Sequence, residues 1–141
     1  MPKETFETAF DNYATNYGIL TALGQGRRAP IVMPPNGHYR KVERFYIEAD
    51  TTWSAQNTNY ATFLLKDSSG NTIASVANGP ATGGLDIDTV GTAVDTTMVA
   101  AYQNIDCRTT AGKLYVVASD TGGGVVYTGL RFAVVAEGLR G

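Results

Sequence analysis

Hydrophobic and polar positions alternate with a period of two through most of this chain, and the first twenty-three residues break the rhythm. Period two is the signature of a half-buried strand. Phe45, Ile47 and Ala49 alternate with Arg44, Tyr46 and Glu48, and Ala61–Lys66 and Thr72–Val76 flank Asp67-Ser-Ser-Gly-Asn71, a hairpin signal in which Leu65 is expected to face Ile73. Alternation resumes over 92–102, with Val94, Met98 and Ala100 on one side, after a Gly-rich loop spanning 78–91. A short strand is expected near Cys107.

The most apolar stretch runs from Lys113 to Glu137, where two runs rich in Val, Leu, Tyr and Phe flank Asp120-Thr-Gly-Gly-Gly124. It reads as a long hairpin, because those glycines accept the backbone conformations of a reversal. With Ser119 facing Val125, Leu114 falls opposite Leu130, Val117 opposite Tyr127, and Tyr115 across from Gly129. Lys113 facing Arg131 is the one unfavourable pair. The second run continues through Phe132, Val134 and Ala136 past the reach of the first, so its far end requires another strand or another subunit.

The leader differs. Phe6, Phe10, Tyr13, Tyr17 and Leu20 recur at spacings of four, three, four and three, which places them on one side of a helix. Such an aromatic stripe either packs on its own domain or docks onto another chain. Glycines and prolines then punctuate residues 24–37, read as an arm or linker with a short strand at Ile31–Met33. The expected organisation is an N-terminal arm over 1–37, with a short helix as an option, followed by an all-β domain over 38–141. Seven or eight antiparallel strands predict a β-sandwich or jelly roll.

Composition sharpens this picture in three places. A chain of 141 residues with one cysteine folds as a single domain without staples, and Cys107 is a small apolar filler or a thiol open to a partner. The acidic start MPKETFETAF lacks a signal peptide's basic and apolar regions, and no apolar run is long enough to cross a bilayer. The chain is expected to be made and kept soluble, with no membrane partner. Residues 27–44 carry Arg27, Arg28, Arg40, Lys41 and Arg44 against Glu43, while residues 45–107 carry seven acids against Lys66. This asymmetry either attracts a neighbouring copy or is ordinary scatter over a solvated surface. A pI near 5.3 disfavours nucleic acid as a partner.

Catalysis has little to work with: His38 is the only histidine, and no nucleophile elbow or paired-cysteine metal motif is present. Neither enzymatic activity nor a cofactor is expected. Arg108 beside Cys107 is a feature that lowers a thiol pKa, set against the simpler buried, inert cysteine. Asp86 and Asp88, joined by Asp50 or Asp95, form a weak calcium pattern without EF-hand spacing, against the simpler solvated loop. Trp53 is a candidate partner contact, as a ring that stacks on a sugar or as a core or interface anchor.

The segments Phe45-Tyr-Ile-Glu-Ala-Asp50, Thr62-Phe-Leu-Leu-Lys-Asp-Ser-Ser-Gly-Asn71, Ala111-Gly-Lys-Leu-Tyr-Val116 and Gly122-Gly-Gly-Val-Val126 resemble small tailed-bacteriophage capsid decoration (cement) proteins and related virion β-sandwiches. The likeness covers about residues 38–137 and lies in strand rhythm and turn chemistry. It implies a non-enzymatic virion protein, made in the host cytoplasm, that binds the major capsid protein lattice on the capsid exterior. It also implies a chain that is often a homotrimer, with an N-terminal arm reaching a neighbour or the shell, and with Phe6, Phe10, Tyr13, Tyr17, Arg27 and Arg28 as candidate partner contacts. The alternative from another class is a carbohydrate- or receptor-binding module using Trp53 and loop tyrosines.

Overall fold

A computed structural model describes residues 3–7, 29–33, 39–80, 82–108, 113–122, 125 and 127–139. Nine strands are described: β1 (Lys3–Glu7), β2 (Ala29–Val32), β3 (Tyr39–Ala49), β4 (Tyr60–Lys66), β5 (Thr72–Ala77), β6 (Ala93–Asp95), β7 (Asn104–Asp106), β8 (Lys113–Thr121) and β9 (Leu130–Leu139). They form two antiparallel sheets. The first is ordered β1-β9-β3-β6, with β7 beside β6 on the same edge of β3, and the second is ordered β2-β8-β4-β5. The protein is an all-β sandwich.

Alternation explains which side of each strand faces inward. Phe45, Ile47 and Ala49 of β3 and Phe132, Val134 and Ala136 of β9 meet Ala61, Phe63 and Leu65 of β4 and Leu114, Val116 and Ala118 of β8 in one apolar core. At its centre Phe63 lies 5.3 Å from Phe132, ring to ring across the two sheets. Burying such a ring stabilises by roughly 1.5–3 kcal/mol.

The expected hairpin over 113–137 does not form. β8 pairs with β2 and β4, while β9 pairs with β1 and β3, so the two runs lie in different sheets. Both runs are central strands whose edges are already taken, β8 by β2 and β4 and β9 by β1 and β3, so neither has an edge left for the other. Leu114 through Ala118 are buried without a break, while β9 buries one face and keeps Arg131, Val135 and Glu137 half-buried on the other. Ser119 accordingly pairs with Thr62, Val117 with Leu64, Leu114 with Ile31, and Tyr115 with Pro30 and Lys66. The far end of β9, expected to need a further strand or subunit, is covered by β3 and β1 of the same chain.

The β4–β5 hairpin forms as expected. Asp67 accepts from the Ser69 and Asn71 N–H groups at 2.9 Å, and Gly70 takes the left-handed conformation with φ +87°. Its register differs by one residue. Leu65 pairs with Ala74 and Lys66 with Thr72, leaving Ile73 as the extra residue of a bulge, so Ile73 and Ala74 are both buried. Lys66, itself buried, donates to the Gly70 carbonyl and the Thr72 hydroxyl across the same turn.

Alternation over 92–102 survives only as Ala93–Asp95. Asp95 ends the strand by accepting from the Ser75 N–H of β5 at 3.0 Å and from the Thr97 N–H at 2.8 Å, so a carboxylate held across the fold closes a turn in place of the ladder. The strand expected near Cys107 is β7.

Within the leader, Lys3–Glu7 is a strand, whereas the aromatic spacing predicts a helix, and the other members of that stripe, Phe10, Tyr13, Tyr17 and Leu20, lie outside the described residues. β1 is largely exposed, with Phe6 partly buried against the core. Its charges reach three neighbours: Lys3 to Glu43 at 2.6 Å, Glu4 to Arg40 at 3.4 Å, and Glu7 to Arg131 at 3.5 Å. The strand read at Ile31–Met33 begins earlier, at Ala29. Ala29, Ile31 and Met33 are fully buried core residues rather than linker.

Candidate functional site

Three connections meet at one end of the sandwich: 50–59 between β3 and β4, 78–92 between β5 and β6, and 122–129 between β8 and β9. They are tied by backbone hydrogen bonds. Trp53 and Ile87 exchange N–H to carbonyl bonds at 2.7 and 2.9 Å, the Gln56 N–H donates to the Asn78 carbonyl, and the Asp50 N–H donates to the Gly129 carbonyl. Asp88 closes its own turn by accepting from the Val90 and Thr92 N–H groups and the Thr92 hydroxyl. The hydroxyl bond above all holds its carboxyl below the usual range.

Beneath these loops lies a buried polar chain. The Tyr127 hydroxyl accepts from the Ala61 N–H at 3.1 Å and donates to Asn78 Oδ1 at 2.9 Å. Asn78 Nδ2 in turn donates to the carbonyls of Trp53 at 3.1 Å and Leu85 at 2.8 Å. Asn78 and Tyr127 are each 1% exposed, so the bonds between them and to the Ala61 N–H satisfy groups that water does not reach. Burial pushes the Tyr127 phenol up, which keeps it a donor at neutral pH.

Above the chain opens a cleft of about 490 Å³, lined among the described residues by Thr52, Trp53, Ser54, Gln56, Asn59, Asn78 and Val125. Tyr127 supports the Trp53 ring from the core, with centroids 5.0 Å apart and planes tilted by 56°. The indole Nε1 is buried and has no hydrogen-bond partner. Gln56 Nε2 donates to the Ser54 carbonyl at 3.1 Å, which shapes one wall.

Asp120, at the end of β8, has a buried Oδ2 without a partner, and burial pushes its carboxyl above the ordinary value. A raised folded pKa means the native state holds the proton more tightly than the unfolded chain. The charged form therefore destabilises the fold at neutral pH, and the penalty fades as pH falls through the folded pKa. Asp120→Asn is expected to melt higher than the wild type at pH 7, with the difference shrinking on acidification toward the ordinary carboxylate range. A lower midpoint at pH 7 in differential scanning calorimetry would contradict this.

No protein-family model, curated protein or solved structure matches the chain.

Of the residues singled out from sequence, Trp53 lines the cleft, while Phe6 sits on β1 away from it with the Arg40 guanidinium 4.6 Å from its ring centroid. Phe10, Tyr13, Tyr17, Arg27, Arg28 and His38 lie outside the described residues. The acidic residues are dispersed. Asp86 accepts from the Ala55 N–H and Asp95 holds the turn after β6, and among the described residues no group of three His, Cys, Asp or Glu is placed to hold a metal ion. Cys107 is buried, and burial pushes its thiol up. Arg108 is engaged with Asp106 and the Tyr39 hydroxyl. Among the described residues no helix is long and apolar enough to cross a membrane.

Asn78, Tyr127, Gln56 and Asn59 were not singled out from sequence. Asn78 precedes Gly79-Pro80 and reads as ordinary turn chemistry, and Tyr127 reads as a strand residue of the expected 113–137 hairpin. The one available signal was a tyrosine close behind three glycines, where a strand partner is least needed.

Proposed function

We propose that the protein is a structural virion component that binds and stabilises an assembled bacteriophage capsid from outside, with the major capsid protein lattice as its partner. The sequence likeness to decoration proteins falls on β3, the β4–β5 hairpin, β8 and the β8–β9 connection, and an all-β sandwich is the fold that likeness implies. The observation that carries the reading is β1. This strand adds an exposed, charged ribbon to the edge of the first sheet and contributes only the partly buried Phe6 to the core, so it suits attachment more than folding. The homotrimer rests on the likeness alone, since the edge of β9 is covered within the chain.

The mechanism is linkage. A protein that binds the assembled lattice but not its separated subunits stabilises the shell by mass action, by about 2.7 kcal/mol per site when free protein stands at a hundredfold its Kd. Removing residues 1–23 is expected to leave the β circular-dichroism spectrum in place while weakening co-sedimentation with stripped heads by about tenfold or more, the equivalent of one or two lost aromatic contacts. Loss of the β spectrum would make β1 indispensable to the fold. A full-length protein that fails to sediment with assembled heads would overturn the reading.

A further inference from the structure

The cleft around Trp53 plays no part in the attachment just described, and its chemistry is distinctive. Its described lining is neutral: an indole, the Val125 side chain, two hydroxyls and three carboxamides. Carboxamides and hydroxyls both donate and accept hydrogen bonds, which matches them to a ligand whose own groups do both. Vicinal hydroxyls on a sugar ring are such groups, and the ring's C–H face is the apolar counterpart that an indole takes. A volume of about 490 Å³ lies within the range of small-ligand sites, roughly 300–1,000 Å³.

The walls are also held in place before any ligand arrives. Asn78 spends its amide on Tyr127 and on the carbonyls of Trp53 and Leu85, and so serves as scaffold. Thr52, Ser54, Gln56 and Asn59 are exposed residues of the lining. Preorganisation of this kind lowers the ordering cost of binding. We propose that the Trp53 cleft is a binding site for a neutral sugar, with Trp53 as the stacking platform and Gln56 and Asn59 as the hydrogen-bonding rim.

Trp53 is the only tryptophan in the chain, so intrinsic fluorescence reports on this cleft directly. The full chain is titrated with glucose, galactose, mannose, N-acetylglucosamine and their short oligomers, beside glucuronate as an anionic probe and an alkyl alcohol as an apolar one. A saturable change with at least one neutral sugar, on the order of millimolar, is expected. Gln56→Ala and Asn59→Ala are each expected to weaken it roughly three- to tenfold, read well below each variant's own melting midpoint, and Tyr102→Ala, exposed and outside the cleft, to leave it unchanged. Three results would overturn the site: no saturable change with any neutral sugar, a response confined to the anionic or apolar probe, or affinity indifferent to both rim substitutions. Head co-sedimentation is a separate measurement, so either proposal fails without the other.

Discussion

Asn78→Ala is expected to destabilise the protein by about 3–5 kcal/mol, lowering the melting midpoint by roughly 10–15 °C. The size follows from what one side chain holds together. Its amide donates to the carbonyls of Trp53 and Leu85 and accepts from the Tyr127 hydroxyl, and the Asn78 and Tyr127 side chains themselves lie beneath the loops, out of reach of water. Truncation orphans the Leu85 carbonyl and the Tyr127 O–H and takes one of two donors from the Trp53 carbonyl, which keeps the Ile87 N–H, and a buried polar group left unpaired costs roughly 1–3 kcal/mol. Tyr127→Phe removes a single oxygen from the same chain and strands the Ala61 N–H and Asn78 Oδ1, so a smaller loss of about 2–4 kcal/mol is expected. A calorimetric loss below about 1 kcal/mol for Asn78→Ala would mean that the loops are held by their backbone ties alone. Asn78→Ala is also expected to shift the emission of Trp53, whose carbonyl it anchors.

Gly129→Val is the second large effect, at about 3 kcal/mol or more, against a change within about 0.5 kcal/mol for its exposed neighbour in Thr128→Val. Gly129 has φ +66°, a conformation that costs a residue with a Cβ roughly 1–2 kcal/mol and a β-branched one more. A Cβ at this position would also overlap the Asp50 carboxylate, which belongs to the loop that β9 abuts. Backgrounds separate the two causes. Asp50→Ala is expected to relieve the overlap in Gly129→Ala while leaving the backbone cost, whereas Tyr115→Ala is expected to relieve nothing, since Tyr115 lies in the other sheet. Relief by Tyr115→Ala in thermal melts would restore the hairpin pairing of β8 with β9. Equal midpoints for the valine variants at 128 and 129 would remove the special role of Gly129.

The cleft illustrates why a site can be illegible in a sequence. Trp53 stood out because a lone tryptophan in a polar stretch is conspicuous. Asn78 and Tyr127 stand 25 and 74 residues further along the chain, and nothing local marks either as its partner. Only closure of the sandwich brings the three loops to one end, where Asn78 becomes buried and its amide has to be spent on backbone carbonyls.

Alternation by itself determined that this chain is all-β, and where β3, β4 and β5 run, because a side-chain period of two is a local property of extended backbone. Turn chemistry by itself determined the β4–β5 reversal, because Asp67 and Gly70 bond and bend within five residues. Which strands pair is a different matter. The runs around the three glycines are close in sequence and apolar, yet each has both edges taken by strands from elsewhere in the chain, so the nearest neighbour in sequence is not its neighbour in space. The bulge at Ile73, the end of β6 at Asp95 and the placing of β1 on β9 were likewise decided by tertiary structure. In each case a contact across the fold, from the core facing β5, from the Ser75 N–H or from the open edge of β9, outweighed the local preference that the sequence displays.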